Sequence, residues 1–301
     1  MNETVSLGLK ARLVQPIRRG YFMVRNAWPV WYTVLNRDAR SHFAAHRPIL
    51  SETQKKILTD LQRDGIAFSS LDELFPGENK LEELQAFMRS LPQPEQSRAR
   101  KQFLLPFFER SPKIDNKNPF FKLALSKTML DVVNSYDNMW RRLNYMALDE
   151  TLPVGDAAPT HSQRWHRDPE EKRQMKFFLY LNDVDSEAGP FTYVRGSQFK
   201  GPLGALYPAK PPEGSYPPHG GVEETVDQEK ILSATGKAGT VIFCDTAGLH
   251  RGGHAKSKHR LMFTAFYPSD KWTDKKTYTV SDELKNDISL AKEARYAVFL
   301  D

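Results

Sequence analysis

The chain has 301 residues, of which 43 are Lys or Arg and 37 are Asp or Glu, so its formal net charge is +6. Residues 1–50 contain two acidic residues, Glu3 and Asp38, and eight basic ones: Lys10, Arg12, Arg18, Arg19, Arg25, Arg37, Arg40 and Arg47. This segment therefore accounts for the whole net charge, and the other 251 residues carry 35 charges of each sign. A nucleic-acid-binding domain is expected to be basic itself, so the balance argues against a nucleic-acid partner.

The overall composition is that of a globular protein, with 40% hydrophobic and 27% charged residues. The single cysteine, Cys244, excludes an intrachain disulfide and a zinc site built from several thiolates. No apolar run is long enough to span a membrane, and the N-terminus lacks the apolar stretch of a secretory signal. We expect a cytoplasmic protein, with peripheral contact at a membrane as the alternative.

The chain between residues 51 and 137 is predicted to be largely helical. Its first helix begins at Ser51, which opens a capping-box pattern, and a short β-like run follows it. Residues 80–91 have the apolar spacing of a second amphipathic helix. A third helix is predicted over residues 119–133, with proline at its favoured first position.

After residue 138 the pattern changes to short stretches rich in aromatic and β-branched residues, which predict strands. These stretches are WRRLNYMAL, QRWHRD, MKFFLYLNDV, PFTYV, TVIFC and RLMFTAFY. A C-terminal helix is predicted over 281–299. Helices followed by several irregularly spaced strands indicate an α+β protein with a sandwich or jelly-roll sheet. The glycine-rich motifs of nucleotide-binding folds are absent.

The longest stretch of turn-forming residues is 201–221, in which eleven of 21 residues are Gly or Pro. A segment of this kind is either an ordinary surface loop or a lid over an active site. The sequence leaves both interpretations open.

A candidate metal site begins at His166-Arg167-Asp168, the one His-x-Asp in the chain. If this segment is a strand, His166 and Asp168 point to the same face. His250 follows the predicted strand TVIFC and a turn, so it is a candidate third ligand from another strand. Two histidines and one carboxylate form the facial triad of non-haem Fe(II) oxygenases, and Arg260 on the next strand is placed to bind a carboxylate.

These segments together resemble the phytanoyl-CoA dioxygenase family of Fe(II)/2-oxoglutarate oxygenases. The matching pieces are RWHRD, KFFLYLNDVDSEAGPFTYVRGS, AGTVIFCDTAGLHRGG and Arg260, and the helix TQKKILTDLQRDGIAF is also similar. The resemblance covers roughly residues 50–270. It implies a double-stranded β-helix (jelly-roll, cupin-like) core with flanking helices.

By resemblance, His166, Asp168 and His250 are the iron ligands, and Arg260 binds the distal carboxylate of 2-oxoglutarate. Lys176 is a candidate second contact to the co-substrate, although an exposed lysine at a strand edge is the alternative interpretation. The implied cofactors are Fe(II), 2-oxoglutarate and O2, with ascorbate as a stimulant. Gly252 departs from the family, which often has a hydroxyl residue there.

The implied activity is hydroxylation, or another oxidation, of an unactivated C–H bond in a small molecule, with release of succinate and CO2. An anionic, lipid-linked or sugar-linked substrate is compatible with the sequence. Asp168 is present, so no ligand position is vacant for a halide. Two other classes remain open: a metal-binding jelly roll without oxygenase activity, such as a cupin-like isomerase or binding protein, and a membrane-surface adaptor acting through residues 1–50.

The basic N-terminal segment, residues 1–50, precedes a predicted single oxygenase domain over 51–301 whose β-helix core spans 138–270. Its arginines are interleaved with four aromatic residues: Phe22, Trp28, Trp31 and Tyr32. This pattern suits an anionic substrate, an anionic membrane surface or an acidic partner. The alternative is a solvated helix packed on the barrel.

Overall fold

The computed structural model describes residues 9–95, 101–109, 111–211, 214, 216–272 and 275–300, with side chains from residue 15 onward. Over these residues the chain combines helices with mainly antiparallel sheet, which confirms the α+β part of the predicted fold class. Among the helices described, none has the length and hydrophobicity needed to cross a membrane.

From Leu9 onward the N-terminal segment is largely helical, and its inner face is buried. Helix α1 spans Leu9–Arg25, a π-helical segment spans Pro29–Leu35, and helix α2 spans Arg37–Ala45. Phe22 and Trp31, two of the aromatic residues expected to meet an anionic partner, are buried instead. Trp31 packs in a cluster with Met139 and Trp140, which lie more than a hundred residues away. The inner face of the segment is therefore part of a hydrophobic core.

Helix α3, Glu52–Asp64, is defined by its two ends. The Ser51 hydroxyl accepts a hydrogen bond from the Gln54 backbone N–H at 3.2 Å, and the Gln54 side chain accepts one from the Ser51 N–H at 2.8 Å. This reciprocal pair is the predicted capping box. At the other end Gly65 adopts a φ of 77°, which a residue with a Cβ rarely tolerates.

The remaining helices are α4 (Leu71–Leu74), α5 (Lys80–Ser90), α6 (Pro119–Leu125), α7 (Lys127–Ser135), α8 (Gly221–Thr225), α9 (Asp282–Lys285) and α10 (Lys292–Ala297). Helix α5 confirms the second predicted helix. The single helix predicted over 119–133 was wrong, because Ser126 is extended and caps α7 through its hydroxyl. The single helix predicted over 281–299 was also wrong. There the Asp287 carboxylate accepts hydrogen bonds from the backbone and hydroxyl of Ser289, so a turn interrupts the helix.

The strands are β1 (Ile66–Ser70), β2 (Leu104–Pro106), β3 (Lys113–Ile114), β4 (Tyr145–Thr151), β5 (Met175–Tyr180), β6 (Phe191–Val194), β7 (Ile231–Ala234), β8 (Thr240–Asp245), β9 (His250–Arg251), β10 (Arg260–Tyr267) and β11 (Thr279–Val280). The large sheet has the order β1-β8-β5-β10-β4-β2, and a three-stranded sheet has the order β7-β6-β9. Every strand pair in these two sheets is antiparallel. Strands β3 and β11 form a separate parallel pair.

The two faces of the large sheet are buried against different partners. Phe177 on β5 belongs to the main core, which includes residues of helices α3, α6 and α7. Its neighbour Phe178 points to the other face, where it packs against Phe191 of the small sheet with ring centroids 4.7 Å apart. This alternation follows from the two-residue period of a strand. The space between the two sheets is where the candidate site lies.

A buried ion pair joins helix α1 to the segment that precedes β5. Arg25 Nη2 lies 3.1 Å from Glu171 Oε1, and their side chains are 4% and 0% exposed. The Glu171 carboxylate also accepts hydrogen bonds from the backbone N–H of Ser269 at 2.8 Å and from the Trp31 indole at 3.4 Å. Arg25 further donates to the Glu170 backbone oxygen at 3.3 Å. The N-terminal segment is thereby attached close to Asp168.

We expect Arg25→Ala to lower the free energy of unfolding by about 3 kcal/mol, because it leaves the Glu171 carboxylate buried without its cationic partner. Urea denaturation measures the change. Arg18→Ala is the matched control, since Arg18 is exposed on the same helix and its loss should change stability by less than about 0.5 kcal/mol. Equal effects of the two substitutions would contradict a structural role for the ion pair.

Candidate metal centre and co-substrate pocket

The site forms where the segment before β5 runs beside β9. The strand predicted over 163–168 was wrong in extent: the structure has a 3₁₀ turn, His161–Gln163, and then a single β-bridge at His166. In that bridge the backbones of His166 and His250 exchange two hydrogen bonds of 2.9 Å. The Asp168 N–H donates to the Thr246 oxygen at 3.0 Å. The backbones that carry the predicted ligands are therefore hydrogen-bonded side by side.

The three side chains predicted to bind iron converge on one point. One ligand atom from each of His166, Asp168 and His250 lies within 4.8 Å of the other two. The two imidazole centroids are 4.2 Å apart, and His166 Nε2 lies 4.0 Å from Asp168 Oδ1. Two imidazoles and one carboxylate are the donor set of a facial triad.

Backbone oxygens fix the tautomer of both imidazoles, and burial keeps both rings neutral, so that each can bind a metal. His166 Nδ1 lies 2.8 Å from the Arg164 oxygen, and His250 Nδ1 lies 3.0 Å from the Gly248 oxygen. With the proton on Nδ1, each Nε2 keeps its lone pair for coordination. Burial and the neighbouring imidazole lower the pKa of His250 to about 3, and burial also lowers the pKa of His166. Both rings are therefore neutral at pH 7, the form that binds metals.

The carboxylate of Asp168 is paired with Lys176 on β5. Lys176 Nζ lies 2.6 Å from Asp168 Oδ2. Burial favours the neutral acid, but the charge of Lys176 outweighs it and holds the pKa of Asp168 well below its usual range. Strand β5 lies inside the large sheet and the Lys176 side chain is 14% exposed, so the interpretation of Lys176 as an exposed edge lysine was wrong. Its ammonium keeps Asp168 ionised, as a metal ligand must be.

Arg260 lies at the start of β10 with its guanidinium buried. It donates to the Thr151 hydroxyl at 3.2 Å and to the Gly189 backbone oxygen. Its Nε is buried without a hydrogen-bond partner among the described residues. A buried donor of this kind requires an acceptor, and a carboxylate fits a guanidinium best. Arg260, Lys176 and the three predicted iron ligands line one cavity of about 370 Å³.

Comparison with known proteins agrees with this geometry. The family model described as phytanoyl-CoA dioxygenase matches residues 80–262. The chain belongs to the phytanoyl-CoA dioxygenase family. It is an iron- and 2-oxoglutarate-dependent dioxygenase, as the donor set and the cavity also indicate. No protein of curated function matches the chain in sequence.

Solved structures similar to this dioxygenase include three proteins of low sequence identity. The epimerase SnoN, in complex with Fe3+, α-ketoglutarate and nogalamycin RO, is 14% identical with a TM-score of 0.50 over 75% of this chain and 87% of that one. HygX from Streptomyces hygroscopicus, with nickel, 2-oxoglutarate and hygromycin B bound, is 19% identical with a TM-score of 0.49 over 74% and 89%. EctD from S. alaskensis with bound Fe is 17% identical with a TM-score of 0.46 over 76% and 80%. At this identity the likeness to SnoN concerns the fold.

Arg167, between the two ligands of the His-x-Asp motif, is a functional residue that sequence reasoning missed. Its buried guanidinium donates to five backbone oxygens, those of Ser197, Leu203, Leu206, Tyr207 and Ala247, the closest at 2.5 Å. It thus ties the His-x-Asp segment to the glycine- and proline-rich loop and to the turn that precedes His250. In the first part of the loop, Leu203, Leu206 and Tyr207 accept hydrogen bonds from Arg167.

Gly252 and Gly253 follow His250 and allow close backbone approach. A Cβ at Gly252 would lie 3.2 Å from the Ser162 oxygen, so the hydroxyl residue often found there in the family would be crowded. A Cβ at Gly253 would overlap the Gly189 backbone oxygen. Because that oxygen accepts a hydrogen bond from Arg260, Gly253 also helps to position the guanidinium.

Replacing Arg167 with methionine should weaken metal binding roughly ten- to hundredfold, because the segment carrying His166 and Asp168 loses its attachment to the neighbouring loops. Titration with Co(II), followed by its visible absorption, measures the effect. Arg164→Met is the matched control: Arg164 is exposed on the other side of His166 and should tolerate the change. Unchanged affinity in the Arg167 variant would contradict a positioning role.

The lowered histidine pKa values predict a metal affinity that depends weakly on pH. Two imidazoles of ordinary pKa would weaken binding roughly a hundredfold between about pH 7.5 and 5.5, since each must first lose a proton. With the pKa of His250 at about 3 and that of His166 lowered, we expect a loss of no more than about tenfold. Co(II) titrations at the two pH values decide the matter, and a hundredfold loss would show that the histidines titrate normally.

Proposed function

We propose that His166, Asp168 and His250 bind Fe(II) as a facial triad at the mouth of a double-stranded β-helix. The observation that carries the proposal is the convergence of their ligand atoms within 4.8 Å, with both imidazoles neutral and the carboxylate ionised. The antiparallel large and small sheets, packed face to face, support the jelly-roll core. We assign this core to residues 138–270 of a single catalytic domain, residues 51–301.

The proposed role of Arg260 is to bind the distal carboxylate of 2-oxoglutarate. Its unpartnered Nε and its place in the same cavity as the triad support this role. A fixed guanidinium orients the co-substrate so that its other end faces the metal ligands. Lys176 contributes through Asp168, whose charge it balances at 2.6 Å, and it adds positive charge to the wall of the pocket.

The proposed reaction is hydroxylation, or another oxidation, of an unactivated C–H bond in a small molecule. When bound, Fe(II) supplies dioxygen activation coupled to decarboxylation of 2-oxoglutarate to succinate and CO2. The chain orients both reactants and excludes water: Phe178 and Phe191 form an apolar wall beside the triad. A cavity of about 370 Å³ is within the range of small-molecule sites.

Asp168→Ala should lower succinate formation by at least about a hundredfold, because it removes the one carboxylate of the proposed triad. Succinate is measured with Fe(II), ascorbate, O2 and 2-oxoglutarate in the wild-type and variant proteins. Asp183→Ala is the matched control, since Asp183 is an exposed aspartate paired with Lys237 at 2.8 Å. Wild-type turnover in the Asp168 variant would refute the ligand assignment.

The proposed triad also predicts that 2-oxoglutarate binds the metal directly. Anaerobic addition of 2-oxoglutarate to the Fe(II) protein should produce a weak visible charge-transfer band. Normal Fe(II) binding without this band would contradict the proposed co-substrate site.

A further inference from the structure

The outer face of helix α1 carries an unusual concentration of exposed apolar side chains. Ile17, Tyr21 and Val24 lie at helical spacing on one face and are 75%, 57% and 64% exposed. Met23 extends this patch at 68% exposed, and Val34 on the following π-helical segment is also largely exposed. The described residues include nine exposed large hydrophobic side chains, and five of them fall within this stretch of eighteen residues. Single exposed apolar residues need no explanation, but a group on one helix face does.

The same helix is firmly attached by its opposite face. Phe22, Arg25 and Asn26 are buried there. Asn26 donates to the Glu170 oxygen at 3.1 Å, and Arg25 forms the buried ion pair with Glu171. Because the inner face is held in this way, the apolar outer face is presented to the outside in a fixed orientation. These outward residues differ from the aromatic ones that the sequence pattern emphasised.

Along the chain, the charges that accompany the patch are of one sign. Residues 4–37 contain six basic residues and no acidic one. Arg18 and Arg19 are exposed at the borders of the apolar face, and Arg25 forms the buried ion pair with Glu171. An apolar stripe flanked by arginines on a single convex helix is the pattern of an interfacial membrane helix. A symmetric second copy is disfavoured, because pairing this face with itself would bring like charges together.

We propose that the outer face of α1, defined by Ile17, Tyr21, Met23 and Val24, binds the surface of a membrane rich in anionic lipid. The apolar side chains enter the headgroup region, and Arg18 and Arg19 contact the acidic headgroups. The enzyme thereby works at a membrane surface. This inference does not depend on the iron or co-substrate assignments, because none of the patch residues lines the cavity.

The test is cosedimentation of the full-length protein with vesicles of phosphatidylcholine alone or of phosphatidylcholine and phosphatidylglycerol at three to one. The wild type should bind the anionic vesicles, more weakly as salt is raised, and should not bind the neutral ones. Charge reversal in Arg18→Glu/Arg19→Glu should weaken binding more than about twentyfold. Ile17→Ser/Tyr21→Ser/Val24→Ser should weaken it by at least about tenfold.

Matched controls distinguish binding through this surface from non-specific binding to vesicles. Lys55→Glu/Lys56→Glu reverses two exposed charges on α3, and Ile49→Ser/Ile288→Ser removes two fully displayed apolar side chains elsewhere. Both controls should bind vesicles within about twofold of the wild type. Co(II) binding in every variant shows that the fold and metal site are intact.

Three results would overturn the proposal. They are equal binding to both kinds of vesicle, absence of binding to the anionic ones, and equal loss in the controls. A fourth result would come from light scattering. If the wild type is a dimer and the triple serine variant is a monomer, the face binds a second copy of the chain. Succinate formation with vesicle binding absent would overturn the membrane contact alone and leave the proposed reaction standing.

Discussion

The backbones of His166 and His250 exchange two hydrogen bonds of 2.9 Å, and the geometry of the whole site depends on that pair. It joins the segment before β5 to β9, so the chain that leads into the large sheet is attached to the small sheet at the two histidines. Asp168 follows two residues later and is hydrogen-bonded in turn to Thr246. A metal ligand displaced by even an ångström loses much of its function, so this backbone pairing, together with the Arg167 and Lys176 side chains, is needed to hold the ligands in place.

The second requirement is electrostatic. A site for a divalent cation needs neutral imidazoles and an ionised carboxylate before the metal arrives. Burial lowers the pKa of both imidazoles and acts to raise the pKa of the carboxylate, and the charge of Lys176 at 2.6 Å opposes that rise. Arg260 has the opposite arrangement, with a buried charge whose Nε has no partner among the described residues. The charges of Asp168 and Lys176 therefore cancel beside the proposed metal site. The part of the pocket at Arg260, where a carboxylate would bind, is positively charged.

The N-terminal segment has two roles that its charge alone does not distinguish. Its inner face contributes Arg25 and Trp31, which hold Glu171 three residues after Asp168. Its outer face displays apolar residues and arginines. One basic helix thus supports the segment that carries the metal ligands and, on our inference, carries the enzyme to an anionic surface. Truncating it would disturb both properties at once.

The sequence by itself determined the features that depend on local pattern and residue chemistry. These are the capping box of Ser51, most of the strands, the His-x-Asp pair and the later His250 and Arg260. Tertiary structure decided the rest. It reduced the strand around His166 to one bridge and brought Arg25 to Glu171 across 146 residues. Arg167 donates to backbone oxygens of residues 30 to 80 positions away, and the sequence around Arg167 contains no pattern that predicts these partners. Helix caps and strand periodicity depend on interactions between residues close in sequence. Buried charges pair with residues distant in sequence, which come close only when the chain folds.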